Sequence, residues 1–273
     1  MLLLAVPLGV IIGLSLGALG GGGSILTVPA LVYLLDQDPR GAITSSLLIV
    51  GVTSLIGLIP HARAGRVRMG QGLLFGLLGT AGSFAGSRLS VRVSPSVLLA
   101  AFAVLMLFVA ALMIRQSIRS APVSQKEGEG SGVEVQRSMV RLRPFACDCR
   151  QVAKVLATAT AVGLLTGFFG VGGGFALVPA LVLVLGFPMP VAVGTSLLVI
   201  AVNSATALAA RVQVAAELDW VLISIFTAAA VVGSLLGSRV AGRVSPRRLS
   251  QVFAGLLVLV ALYTGVHSAL ALL

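Results

Sequence analysis

The chain alternates long apolar runs with short polar ones, and the runs have the length of a bilayer rather than the 3.6-residue rhythm of a surface helix. No Asp, Glu, Lys or Arg occurs in 41–60, 69–87, 93–114, 155–210, 220–238 or 249–273. A bilayer core of ~30 Å needs about 20 apolar residues per helix. The pattern therefore predicts an all-α, polytopic membrane protein. The first run, 1–35, is too long for one crossing: as a straight helix it would measure about 50 Å at ~1.5 Å per residue. It must tilt, break or turn back. Four consecutive glycines, Gly20 to Gly23, mark the place. This run has no basic n-region and continues past the length of a signal-peptide h-region, so it is expected to be retained.

The glycine stretch has a partner. "GALGGGGSILTVPAL" (Gly17 to Leu31) aligns with "GFFGVGGGFALVPAL" (Gly167 to Leu181) at an offset of 150. "SSLLIV" (45–50) then lies on "TSLLVI" (195–200), and "GSFAGSRLSVRVSP" (82–95) lies on "GSLLGSRVAGRVSP" (233–246) after a one-residue shift. Leu and Val would match by chance among apolar helices. Gly, Pro, Ser and Arg in fixed order would not. The sequence thus reads as two copies of one unit, 1–115 and 151–273, each with a Gly-broken first element and three further transmembrane helices. Such duplication is characteristic of transporter folds. Residues 116–150 form a polar linker rich in Ser, Gly, Gln, Glu and Arg, without helical period.

Composition sharpens this. The 273 residues are 58% apolar and 10% charged, where a soluble chain carries about 25% charge. The net charge of +11 is of the kind that nucleic-acid binding uses, but the arginines sit in short loops between spans, as the positive-inside rule produces. The expected partners are therefore a lipid bilayer and a small anion, with no nucleic acid; a homodimer is left open. Cys147 and Cys149 fall in the polar linker and read as a reduced pair. His61 and His267 sit at segment ends, far apart in sequence. No metal or catalytic constellation is visible, which predicts neither enzyme activity nor a bound cofactor.

The same arginines weigh two topologies. If each broken element crosses once, the copies are parallel, and 12 Lys/Arg fall inside against 7 outside. If each is a hairpin turning at Gly20–Gly23 and Gly170–Gly174, the copies are inverted. The loops 61–69 and 239–248 and the linker then lie inside, with 15 Lys/Arg inside and 4 outside. The hairpin arrangement scores better.

A break inside a bilayer must line a cavity or be satisfied by protein. A helix restarting after glycines, at Ser24 or Phe175, presents free N–H groups and a positive dipole end, an anion-binding geometry. The candidate substrate residues are Gly21, Gly22, Gly23 and Ser24 with Gly172, Gly173, Gly174 and Phe175. Ser45, Ser46, Thr195 and Ser196 occupy equivalent positions in the next element, and Asn203 is the costliest of the polar residues to bury unpaired. Arg88 and Arg239, equivalent in "GSR", are candidate entrance charges or snorkelling anchors. Gly13/Gly17 and Gly233/Gly237 have the spacing of close helix packing. Proton relays use Asp, Glu or His, and the cores of the apolar runs are read as holding none, so any coupling is expected to use the membrane potential.

The duplicated glycine run with its following proline, the "TSLL" stretch and the basic loop "HARAGRVR" resemble the sulfite exporter TauE/SafE family. The first copy departs modestly, reading GALGGGGS where the second has GFFGVGGG. The resemblance implies a multi-pass plasma-membrane carrier of sulfite, sulfoacetate or related organosulfonates, without cofactor. It also implies seven or eight spans. A channel-like anion pathway and a non-transporting membrane scaffold are the alternatives.

Overall fold

A computed structural model of the chain describes residues 2–37, 39–90, 95–119, 149–169, 174–209 and 218–270. The described residues form helices and their connections, with no strand among them. The order is α1 (Leu2–Leu19), α2 (Gly22–Pro29), α3 (Pro39–Arg63), α4 (Met69–Ser90) and α5 (Pro95–Arg119), then α6 (Cys149–Phe169), α7 (Gly174–Pro179), α8 (Met189–Ala209), α9 (Trp220–Arg243) and α10 (Pro246–Leu270). A π-helical turn follows α2 at Ala30–Leu34 and α7 at Ala180–Val184. Among the described residues, three helices are long and apolar enough to cross a membrane: Gly41–Arg63, Met189–Leu208 and Trp220–Arg243.

The first apolar run turns back on itself at its glycines. Gly20 adopts φ +71°, a left-handed conformation that costs a side-chain-bearing residue about 1–2 kcal/mol. Helix α2 then lies against α1: a Cβ on Gly23 would stand 2.7 Å from both the Ile12 carbonyl oxygen and the Leu16 nitrogen. In a straight helix, residue 23 would lie ~16 Å beyond residue 12. By its end the hairpin has returned to the start of α1, where Ala30, Leu31 and Leu35 share a buried cluster with Ala5 and Ile12.

Pro29 and Pro179 close the short helices. A proline ring inside a helix removes one backbone donor and crowds the preceding turn; the wider π turns begin at the next residue. Both turns end alike. Gln37 N donates to Leu31 O at 3.0 Å and Phe187 N to Leu181 O at 2.9 Å, across left-handed residues Asp36 (φ 53°) and Gly186 (φ 67°).

Glycine contacts fix the helix directions. In α1 and α9, Gly13 meets Ala230 and Gly17 meets Ser234, so the two run parallel. In α4 and α6, Gly82 abuts Thr160 and Gly86 abuts Phe168, again parallel. In α3 and α8, Gly51 abuts Ser204 and Gly57 abuts Leu197, so these run antiparallel. Helix α3 runs with α1, because Ala42 near its start clusters with Ala5 while His61 near its end reaches Gly17. Helix α4 runs with α8, since Gly72 abuts Thr195 and Thr80 bonds Asn203. Thus α1, α3 and α9 point one way, and their counterparts at the offset positions of the other half, α6, α8 and α4, point the other.

Two details differ from the sequence expectation. Helices α2 and α7 start at Gly22 and Gly174 rather than at Ser24 and Phe175, so glycines form their first turns. Helix α5 also continues to Arg119 and α6 begins at Cys149, so helix enters the stretch 116–150 from both ends.

Candidate functional site

The two glycine breaks touch. A Cβ on Gly21 would collide with the Gly174 carbonyl, and one on Gly174 would stand 2.8 Å from the Gly21 Cα. The contact is backbone on backbone, which only glycine permits at such range. Around it, Gly20 packs on Ser196 and within reach of Val178 and Val193 of α7 and α8, while a Cβ on Gly22 would stand 3.3 Å from the Phe253 ring of α10. The Ser24 hydroxyl turns back to donate to Gly21 O at 2.7 Å, and Thr27 donates to Gly23 O at 3.2 Å. Gly172 and Gly173 lie outside the described residues. Phe175 falls within α7 and Arg88 within α4.

The hydroxyl pairs expected to flank the breaks are both fully or nearly fully buried, but they do not converge. Because α3 and α8 are antiparallel, Thr195 and Ser196 lie beside the His61 end of α3, with Ser45 and Ser46 at its opposite end. Ser196 donates to Val193 O at 2.8 Å and Ser46 to Ile43 O at 2.7 Å. Thr195 Oγ1 accepts from the Arg68 backbone N–H at 3.2 Å. Ser45 Oγ is buried without a partner. Asn203 lies seven residues beyond Ser196, ~10 Å along the helix, and its Oδ1 accepts from Thr80 of α4 at 3.3 Å. The structure therefore brings Gly20 to Gly22, Ser24, Gly174 and Ser196 together and leaves Asn203 in a separate helix contact.

The basic loop after α3 is part of this region. Arg66 N donates to His61 O at 2.9 Å, and Arg66 O packs on Gly194 of α8. A Cβ on Gly242, at the end of α9, would stand 3.6 Å from the Arg66 guanidinium. Arg239 and Arg243 of α9 are exposed. His61 is 1% exposed, and its Nε2 lies 3.0 Å from Gly17 O. Sequence reasoning passed over it as a segment-end residue; the signal available was an ionisable side chain at the edge of an apolar span.

The outer surface is apolar. Many large hydrophobic side chains are exposed, Val104, Phe84 and Leu77 by more than 60%, as expected of helices solvated by lipid. The family model for the sulfite exporter TauE/SafE matches residues 5–264. The chain belongs to this family. Among its relatives, a Xylella fastidiosa protein named "Probable membrane transporter protein" is 33% identical over 96% of this chain and 94% of its own length. The "Probable membrane transporter protein YunE" of Bacillus subtilis is 28% identical, covering 96% and 98%. The "Probable membrane transporter protein MJ0441" of Methanocaldococcus jannaschii is 25% identical, covering 96% of each chain. No solved structure matches the chain.

Proposed function

We propose that this chain is a secondary transporter of small anions, sulfite or an organosulfonate, and that it spans the plasma membrane several times as two inverted repeats. Membership of the TauE/SafE family over nearly the whole chain carries the reading. The opposed directions of corresponding helices and the meeting of their glycine breaks support it, because transporters of inverted-repeat design place substrate where broken helices converge. Gly21 to Gly23 with Ser24, and Gly172 to Gly174 with Phe175, would then supply backbone donors to the anion. Gly21 and Gly174 are in backbone contact, so passage of an anion between them requires α2 and α7 to part.

The test is flux of radiolabelled sulfite into proteoliposomes, with sulfonates of increasing size as a panel. Saturable flux above that of empty liposomes is the expected result. Equal flux in empty liposomes across the panel would remove the substrate class.

A further inference from the structure

His61 ends a file of buried polar groups that lack partners. Gly57, one turn before it on α3, abuts the Ser234 hydroxyl of α9, and the Ser234 backbone in turn abuts Gly17 of α1. Ser54, three residues before Gly57, lies on the same face of α3. Ser54 and Ser234 are 0% exposed, and neither hydroxyl has a hydrogen-bond partner; the same holds for His61 Nδ1. Helical serines normally bond back to their own turn, as Ser46 and Ser196 do here. The equivalent contact in the other half, between α4 and α8, is satisfied through Thr80 and Asn203.

The Gly17 bond fixes the chemistry of the ring. A carbonyl oxygen only accepts, so Nε2 must carry the hydrogen. Nδ1 of the neutral ring is then a lone pair: a base, buried, without a donor. Gly17 lies in the last turn of α1, whose final carbonyls have no intrahelical partner, and the negative end of a helix dipole favours a cation there. A cation buried away from water is costly unless it is paired. An anion arriving at the adjacent glycine break would be that pair.

We propose that His61 is the proton-accepting group of the transport cycle, binding one proton together with the anion. This inference rests on the transporter reading above. Nδ1 takes a proton from hydronium, releasing water, and the new N–H⁺ donates to an anion oxygen; return of the proton to water breaks that N–H bond and frees the anion. The charged and titratable surroundings are few. Helices α1 and α8 carry no ionisable side chain within their described spans, α9 offers the exposed Arg239 and Arg243, and α3 offers the exposed Arg63. Arg66 of the following loop is tied to His61 through its backbone, its N–H donating to His61 O at 2.9 Å.

Only two histidines occur in the chain, so nitrogen-15 histidine spectra of the full protein in lipid nanodiscs resolve the point. His61→Gln, whose side-chain amide keeps a donor for Gly17 O, assigns the His61 signals against those of His267. The expected result is a neutral Nε2–H ring without anion that becomes doubly protonated when sulfite is added at fixed pH. His61→Gln should lower sulfite flux about tenfold or more, equivalent to at least ~1.4 kcal/mol. Normal wild-type flux with His61 unchanged by sulfite, or found as the Nδ1–H tautomer, would overturn the proposal. Absence of sulfite flux from the wild type would instead overturn the transporter reading beneath it. If His61→Gln does not fold, the wild-type spectra with and without sulfite still decide.

Discussion

Gly21 and Gly174 approach through their backbones, so a single methyl group at either position must push two chain segments apart. Gly21→Ala is expected to cost about 1–3 kcal/mol, the range for forcing extra carbon into a packed site. Gly255 in α10 is the control: a Cβ there meets nothing within 4 Å, and alanine should gain up to about 1 kcal/mol through helix propensity. Thermal unfolding of both variants in one detergent checks the contrast; similar melting temperatures would mean that the break contact contributes no constraint. The importance of these glycines was legible in the sequence, because glycine in an apolar run is costly and the run occurs twice. His61 was not legible in the same way. Its burial depends on Gly17, 44 residues earlier, and on Gly194 of α8, and no local pattern encodes that meeting.

The helices show the same division between local and non-local information. Glycine spacing at Gly13/Gly17 and Gly233/Gly237 indicated close packing, and all four residues lie in the α1–α9 contact. Proline positions marked where α2 and α7 end, but not that a π turn would follow, since that depends on how the next carbonyls find partners. The polar residues of α8 were harder to sort. Periodicity cannot separate Ser196, which meets the break, from Asn203, which meets Thr80. The structure makes Asn203 a helix–helix fastener, and hydrogen bonds of this kind inside membranes average about 0.6 kcal/mol, reaching ~1.7. Asn203→Ala should therefore lower stability by that amount and, in the flux assay of the proposed function, leave the apparent KM for sulfite unchanged. A tenfold or greater rise in the apparent KM for sulfite, with melting temperature preserved, would return Asn203 to the binding site.

At the scale of the whole molecule, the two arrangements differ in where they put the basic loops. A parallel arrangement puts the loop 61–69 and the end of α9 on opposite sides of the membrane; the hairpin arrangement puts them together. Arg66 stands beside Gly242, so the two share one end of the molecule. The antiparallel contact of α3 with α8 requires the same thing, because the hairpin at Gly20–Gly23 brings the chain back before α3 begins. With that end inside, 15 of the 19 Lys/Arg are cytoplasmic, the asymmetry that the positive-inside rule favours. A sidedness measurement follows directly. With Cys147 and Cys149 replaced by serine, Arg63→Cys and Arg243→Cys should both be shielded from a membrane-impermeant maleimide in intact cells and both become reactive in inverted vesicles. Trp220→Cys, at the opposite end of α9, should behave the other way. Labelling of Arg63→Cys and Arg243→Cys from opposite sides would be incompatible with the observed packing of α3 and α9, and with it the two glycine breaks would lose the opposed geometry from which an anion site is argued.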